Sequence, residues 1–381
     1  MKITFITIGF TPLRTSGLDI SGERLVTGLL ERGHQVTVLA GGQGKQPETM
    51  HHPNLTIHRI PLGKTNWIGF GWQAAQHLRR LAQRETPDVI HFWDIYFAWA
   101  FNGPFIGSLQ HSFHQRISTS QNVGITKKLY YVLSLRLAER PAIRRAGGLL
   151  AGSVSSMQAY LQHYHIPPEK VFLARHGIDT DFFQRVPDTQ ALRAQLGLLP
   201  EERVLMYSGF FTPRKGLEYL AQALTAIHPA PRLILTGRWS DNFRARFYDL
   251  LGPMRERVIE AGFVPDELMP AYFSLADIYV SSSLLEGFGL PIAEALACET
   301  PIVAADAGSV AEVTGPGGVL VPPGNPPALA NAVSSMLADP THCLTLGQLG
   351  RAHILQNFSL TSMVEAHLTA YQQFLASKPL P

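Results

Sequence analysis

The sequence predicts an α/β protein made of two doubly wound domains, and three observations predict it. Short, densely apolar runs alternate with helical patterns through the first half of the chain. The same alternation restarts after a polar break at residues 177–199. With 381 residues, 45% of them apolar and 16% charged, the chain is globular and too long for one ordinary core. Strand–helix alternation repeated twice implies two parallel sheets covered by helices on both faces.

In the first half, Ile3–Ile8, Val36–Leu39, Val89–Phe92 and Leu149–Ala151 read as buried strands, because parallel strands covered on both faces need continuous apolar runs. Between the first two, residues 20–32 place Leu25, Leu29 and Leu30 on one face with charges opposite, and Gly33 supplies a stop. Asn54–Ile60 alternates and reads as a strand nearer an edge. Residues 1–176 form the first predicted domain, and the break at 177–199, polar and carrying Pro187, is the predicted linker. The second domain, 200–358, has strands at Val204–Tyr207, Leu233–Leu235, Ile278–Ser281, Ile302–Ala304 and Val319–Val321. A last helical pattern, 359–376, can return to either domain, and the first is the assignment. Sheets of this kind bind ligands beyond the carboxyl ends of their strands, so the cleft between two facing domains is the default site.

Composition excludes several classes. Two cysteines cannot make a disulfide framework and fit a reducing compartment. The N-terminal apolar run is short, lacks a cleavage site, and reads as a strand rather than a signal peptide. No apolar run approaches the ~20 residues that span a bilayer. The expectation is a cytoplasmic protein. Residues 1–170 carry 18 basic against 9 acidic residues and residues 171–381 carry 14 against 20, so the first half should meet something anionic. No basic helix or aromatic–basic motif of a nucleic-acid reader is present, and nucleic acid is not expected as a partner. Residues 125–146 mix Lys127, Lys128, Arg136, Arg140, Arg144 and Arg145 with Tyr130, Tyr131, Leu133 and Leu137. A basic amphipathic helix of this kind can lie at the inner face of an anionic membrane, although an ordinary solvated helix has the same pattern. The sequence does not give the oligomeric state.

The stretch SSSLLEGFGLPIAEALACETPIVAADAGSVAEV, residues 281–313, carries the chemistry. A buried strand ends at Ser281–Ser283, a loop with Gly287 and Gly289 follows, and Pro291 opens a helix. The glycines let backbone approach a ligand, and the helix start offers unpaired N–H groups suited to a diphosphate. Glu286 and Glu294 flank that anion site, where both would repel phosphate; they make better acceptors for sugar hydroxyls. This segment closely resembles the signature of the family 4 retaining glycosyltransferases, which have the GT-B fold of two Rossmann-like domains. The family places two glutamates with seven residues between them, as Glu286 and Glu294 are here. The resemblance implies that Glu286 binds hydroxyls of the transferred sugar and Glu294 the nucleotide ribose. It further implies that backbone N–H groups of Gly287, Phe288, Gly289 and Leu290 hold the diphosphate.

Other segments match the family in order. Ser16-Gly17 stands where the family has two glycines, and Gly17 would let the N-terminal loop approach the diphosphate. GSVSSMQAYL at 152–161 resembles a serine-capped helix of the family, and RHGID at 175–179 its linker motif, with His176 where asparagine is usual. Asp179-Thr180-Asp181 spells the metal motif of another glycosyltransferase fold but reads as a loop, and no metal is expected. YSGFFTPRKGLEYL at 207–220 resembles the phosphate-binding loop, with Lys215 as its lysine. The family commonly places an arginine directly after the glycine to stabilise the departing diphosphate, and this chain has Phe210 there. Arg214 and Arg238 are the candidate replacements. Gly262-Phe263-Val264 matches the segment whose backbone reads the nucleobase. In LQHSFHQR, 109–116, His111 best matches a histidine near the reacting sugar, with His114 as its rival.

The resemblance implies a metal-independent, retaining transfer of a hexose-like sugar from a nucleotide-diphosphate sugar to an unidentified glycan, lipid or small molecule, giving an α-linkage. The expected catalytic set is Glu286, Lys215, Arg214 and His111. Gly17, Arg238, Phe263, Val264, Gly287–Leu290 and Glu294 are the expected donor-binding set, with no further cofactor. Two alternatives remain at this point: a sugar-nucleotide epimerase on the same fold, and a weakened sugar- or nucleotide-binding module, which Phe210 favours.

Overall fold

A computed structural model describes residues 1–13, 16–42, 50–62, 66–83, 85–110, 112–118, 125–240 and 243–377. The chain divides into two units, one of Met1–Gly177 with the residues from Leu360 on, the other of Ile178–Ser359.

The first unit is a seven-stranded parallel sheet of β1 (Lys2–Thr7), β2 (Gln35–Gly41), β3 (Leu55–Ile60), β4 (Val89–Phe92), β5 (Ile106–Leu109), β6 (Gly148–Ala151) and β7 (Val171–Leu173). Its spatial order is β3-β2-β1-β4-β5-β6-β7, so the winding reverses between β1 and β4. The helix Gly17–Glu31 covers one face. Ser16 caps it through a reciprocal pair in which Ser16 Oγ accepts from Asp19 N–H at 3.4 Å and Asp19 Oδ2 accepts from Ser16 N–H at 2.9 Å. Gly33, at φ +75°, lets the chain leave the helix for β2.

The helix Leu360–Ala376 packs on this unit, burying Met363, Val364, Tyr371 and Phe374. Gly28 makes room for it, since a Cβ there would collide with Val364 Cγ2. At the core of the contact His91 Nδ1 lies 2.7 Å from the Tyr371 hydroxyl and His91 Nε2 lies 2.8 Å from Ser108 Oγ. Burial, and then the neighbouring His367, hold His91 well below the ordinary histidine range.

The second unit is a six-stranded parallel sheet of β8 (Val204–Phe211), β9 (Arg232–Trp239), β10 (Val258–Gly262), β11 (Ile278–Ser281), β12 (Ile302–Ala305) and β13 (Gly318–Val321). Its order, β10-β9-β8-β11-β12-β13, reverses between β8 and β11.

Two expectations change. Residues 178–199 are not a separate linker. Ile178, Phe183 and Leu198 are buried in the core of the second unit, and Ile178 N–H donates to the Phe358 carbonyl. Their wide spacing in a polar stretch hides this in the sequence. Asp179 Oδ1 accepts from the N–H groups of Asp181 and Phe182, closing a turn.

Nor is 125–146 one amphipathic helix. The α-helix Ile125–Ser134 gives way to a π-helical turn, Leu135–Glu139, before the helix Arg140–Arg145. Pro141 explains the turn, because it has no N–H for the carbonyl four residues back and its ring crowds that carbonyl. The turn carries Glu139 inward, where it is fully buried; its Oε2 accepts from Phe113 N–H and its Oε1 from the Tyr160 hydroxyl, both at 2.9 Å. Among the described residues no helix is long and apolar enough to cross a membrane.

Candidate active site

The carboxyl ends of β8 and β11 meet where the second sheet reverses its winding, the position at which doubly wound sheets leave a crevice. The loop after β8 makes a single 3-10 turn, Pro213–Lys215, and Gly216 at φ +66° starts the helix Leu217–Leu224. Only glycine fits there, since a Cβ would strike the Ser282 carbonyl oxygen. The loop after β11 is stitched to it. Leu284 N–H donates to the Arg214 carbonyl at 2.9 Å, Ser282 Oγ donates to the Lys215 carbonyl at 3.2 Å, and Arg214 Nη1 donates to the Leu285 carbonyl.

This stitching brings Lys215 and Glu286 together. Lys215 Nζ donates to Glu286 Oε2 at 2.6 Å, with both side chains largely buried. Ser283 Oγ donates to the same oxygen at 3.3 Å, and Arg214 Nη1 stands 3.9 Å from Glu286 Oε1. Tyr207, beneath, donates its hydroxyl to the Lys215 carbonyl at 3.3 Å; burial and the Glu286 charge raise its pKa and keep that proton in place. The Glu286 backbone is fixed from the loop after β12, where Ser309 N–H and Oγ both donate to its carbonyl, at 3.2 and 3.3 Å.

Three residues on, Gly289 caps the helix Leu290–Ala297 at φ +92°, with Pro291 in its first turn. Ile292 and Ala293 close that turn by donating to the Gly289 carbonyl, and since Pro291 has no N–H, Leu290 is the one helix residue ahead of them that carries such a donor. Phe288 is buried, packing its ring 5.5 Å from Phe358, and anchors the loop. Glu294 is half-buried on this helix. A carboxylate paired with a lysine, a helix start and a second carboxylate can together hold a polar, anionic ligand.

The remaining expected residues divide. Arg238, exposed at the end of β9, lies with its guanidinium carbon 5.2 Å from the Phe263 ring centroid. Of the two arginines considered for the Phe210 position, Arg214 therefore stands at Glu286 and Arg238 stands with Phe263. Val264 is buried in the core. In the first unit Gly17 opens the capped helix beyond β1. His111 lies outside the described residues. Its rival His114 stacks on His163, ring centroids 3.9 Å apart, and burial, then His163, lowers its pKa. His176 is buried, with Nδ1 2.7 Å from Ser21 Oγ and Nε2 3.2 Å from Gln110 Oε1. Sequence reading missed Tyr207, Ser283 and Ser309 as supports of the cluster, although all three lie within the segments it quoted, 207–220 and 281–313.

Comparison with known proteins bears on this geometry. The sequence pattern of the family described as Glycosyltransferase Family 4 matches residues 15–182, and that of Glycosyl transferases group 1 matches residues 188–353. The chain belongs to the family 4 glycosyltransferases. An uncharacterised glycosyltransferase of Methanocaldococcus jannaschii is 27% identical over 376 residues, covering 89% of this chain and 90% of that one. Among solved structures, sucrose-phosphate synthase from Thermosynechococcus elongatus aligns with a TM-score of 0.80 at 24% identity, over 99% of this chain and 100% of that one. Anabaena HepE, in complex with UDP and glucose, aligns at 0.75 and 21% identity, over 98% and 100%. Those likenesses give this glycosyltransferase the GT-B fold.

Proposed function

We propose that this glycosyltransferase takes a hexose-like sugar from a nucleotide-diphosphate sugar and passes it, with retained configuration, to an acceptor hydroxyl. The observation that carries the reading is the Lys215–Glu286 pair, held where β8 and β11 diverge and three residues before a helix start. The UDP-bound state of the Anabaena relative supports a nucleotide donor.

In this reading Glu286 accepts from hydroxyls of the transferred sugar and Glu294 from the ribose. Lys215, Arg214 and the N–H groups of Gly287–Leu290 face the diphosphate. As the bond from the anomeric carbon to the diphosphate breaks, negative charge grows on the leaving oxygen, and fixed cations and N–H donors gain most at that moment. The acceptor oxygen bonds to the same carbon, and its proton leaves with the diphosphate. Lys215 and Arg214 supply the charge without a divalent ion. The first unit is assigned the acceptor, and its basic excess suits an anionic one.

The test is thermal stabilisation by a panel of UDP-, GDP- and ADP-sugars and their free nucleotides. A ligand at 100 times its dissociation constant adds ~2.7 kcal/mol. Glu294→Ala should weaken the free nucleotide and its sugar alike. Glu286→Gln should weaken the sugar-bearing donor while the free nucleotide keeps its affinity. Turnover with the stabilising donor should persist in EDTA. If no nucleotide or nucleotide sugar stabilises the wild type, the reading fails.

A further inference from the structure

Phe210, Arg238 and Phe263 stand at the carboxyl edge of the second sheet, outside the cluster around Glu286. Phe210 on β8 and Arg238 on β9 are direct partners in the parallel ladder. Each follows a glycine, and those glycines, Gly209 at φ +147° and Gly237 at φ +133°, are partners too. A Cβ on Gly237 would collide with the Gly209 carbonyl oxygen, so the two strand ends need glycine to come this close. Phe263 follows Gly262, the last residue of β10, one strand further out.

Phe210 and Phe263 are 56% and 66% exposed, and the Arg238 guanidinium covers the Phe263 ring. Scattered exposed aromatics need no explanation, but a pair bracketing an arginine at the ligand-binding edge of a doubly wound sheet does. This edge also adjoins the phosphate loop, since a Cβ on Gly209 would sit 3.9 Å from Lys215 Cε.

We propose that Arg238, seated on Phe263 with Phe210 beside it, reads the donor's nucleobase and selects one bearing an exocyclic carbonyl, uracil or guanine, over adenine. The inference rests on the nucleotide-sugar reading and adds a substrate class to it. A guanidinium has five N–H donors and no acceptor. It bonds the carbonyl of uracil or guanine, whereas adenine presents an amino donor in that place. Phe263 fixes the plane of the guanidinium, and Phe210 offers a π-face to a planar base. The departure at Phe210 thereby acquires a use: an apolar ring where a second cation would compete with Arg238.

Calorimetry with UDP, GDP, ADP and inorganic pyrophosphate tests this on the wild type, Arg238→Met and Phe263→Leu. Both changes are at exposed side chains, and circular dichroism checks the fold. The wild type should bind UDP or GDP more tightly than ADP, and whichever of the two is tighter identifies the base. Arg238→Met should weaken that nucleotide about tenfold, the scale of one lost hydrogen bond to a charged group, while ADP and pyrophosphate change little. Phe263→Leu should show the same pattern, smaller. Equal losses for all four ligands would assign Arg238 to the diphosphate and overturn the proposal, as would a wild type that prefers ADP or an Arg238→Met that binds as the wild type does. If the wild type binds pyrophosphate but no nucleotide, the nucleotide-sugar reading falls first and this inference with it.

Discussion

At Gly308 the backbone takes φ +68°, and a Cβ would run into the Glu286 carbonyl oxygen that Ser309 already holds. A side chain there meets both a strained backbone and a collision with backbone. Gly33 has a similar φ, +75°, with nothing within 4 Å of its Cβ position, so it isolates the conformational part. Gly33→Ala should therefore cost ~1 kcal/mol in urea unfolding, and Gly308→Ala ~2–3 kcal/mol or more. Gly308→Ala should also lower affinity for the stabilising donor, because it displaces Glu286. If the two variants unfold alike, the close approach has no energetic weight. Glu286, its glycines and Lys215 were legible in the sequence because each belongs to a contiguous run with a recognisable pattern. Tyr207 and Ser309 were not read as their supports, because they act through the carbonyls of Lys215 and Glu286, and a carbonyl leaves no mark on residue type.

The helix Ile125–Ser134 leaves an apolar stripe in water: Ile125 is 85% exposed, and Leu129 and Leu133 continue the line at four-residue steps. The π turn sets Leu137, 67% exposed, after them while turning Glu139 inward. The segment's one acid is thus removed from a surface that keeps Lys128, Arg136, Arg140 and Arg144 exposed. An apolar line flanked by cations is proposed to dock on an anionic bilayer. The protein should co-sediment with vesicles containing phosphatidylglycerol at low salt and not with neutral ones. Leu129→Glu with Leu137→Glu should cut that binding about tenfold or more, since each leucine loses part of its ~1.5–3 kcal/mol transfer energy. Equal sedimentation of the double variant would remove the stripe from the interface. The helix was legible from its pattern, whereas the π turn was not, since its only sequence signs are a proline inside a helical run and a lone acid among bases. The edge strands β7 and β10 were missed for a related reason: VFL is three residues long, and VIEAG places an acid at its centre. A strand covered less fully does not need the continuous apolar run that revealed the others.

Across the whole molecule, buried histidines set a pH limit on the first unit. His91 and His367 are fully buried, and burial lowers both pKa values, that of His367 to about 4. A histidine depressed in the folded state is protonated first in the unfolded chain. Its contribution to stability is complete above about pH 6.5 and declines as pH falls, for His367 down to about pH 4. Melting temperature should fall between pH 6.5 and 4, and the fall should be shallower for His367→Gln, which cannot titrate. Identical slopes would mean that His367 titrates alike in both states. The two sheets and their winding followed from the alternation of runs. The residues from 178 to 199 did not, because Ile178, Phe183 and Leu198 join a core too far apart in sequence to form a run.

The return of the helix Leu360–Ala376 to the first unit has a consequence for how the chain is made. Domains generally fold as they leave the ribosome, earliest residues first. Here the sheet that emerges first lacks the cover for Leu25, Val26 and His91 until Val364 and Tyr371 arrive, and those follow the whole of residues 178–359. The second unit is continuous in sequence and can close as soon as it is out. Order of synthesis and order of completion are therefore reversed: the unit translated first is the last to be finished, and a ribosome stalled anywhere before residue 360 holds a nascent first unit with one side of its core still open to water.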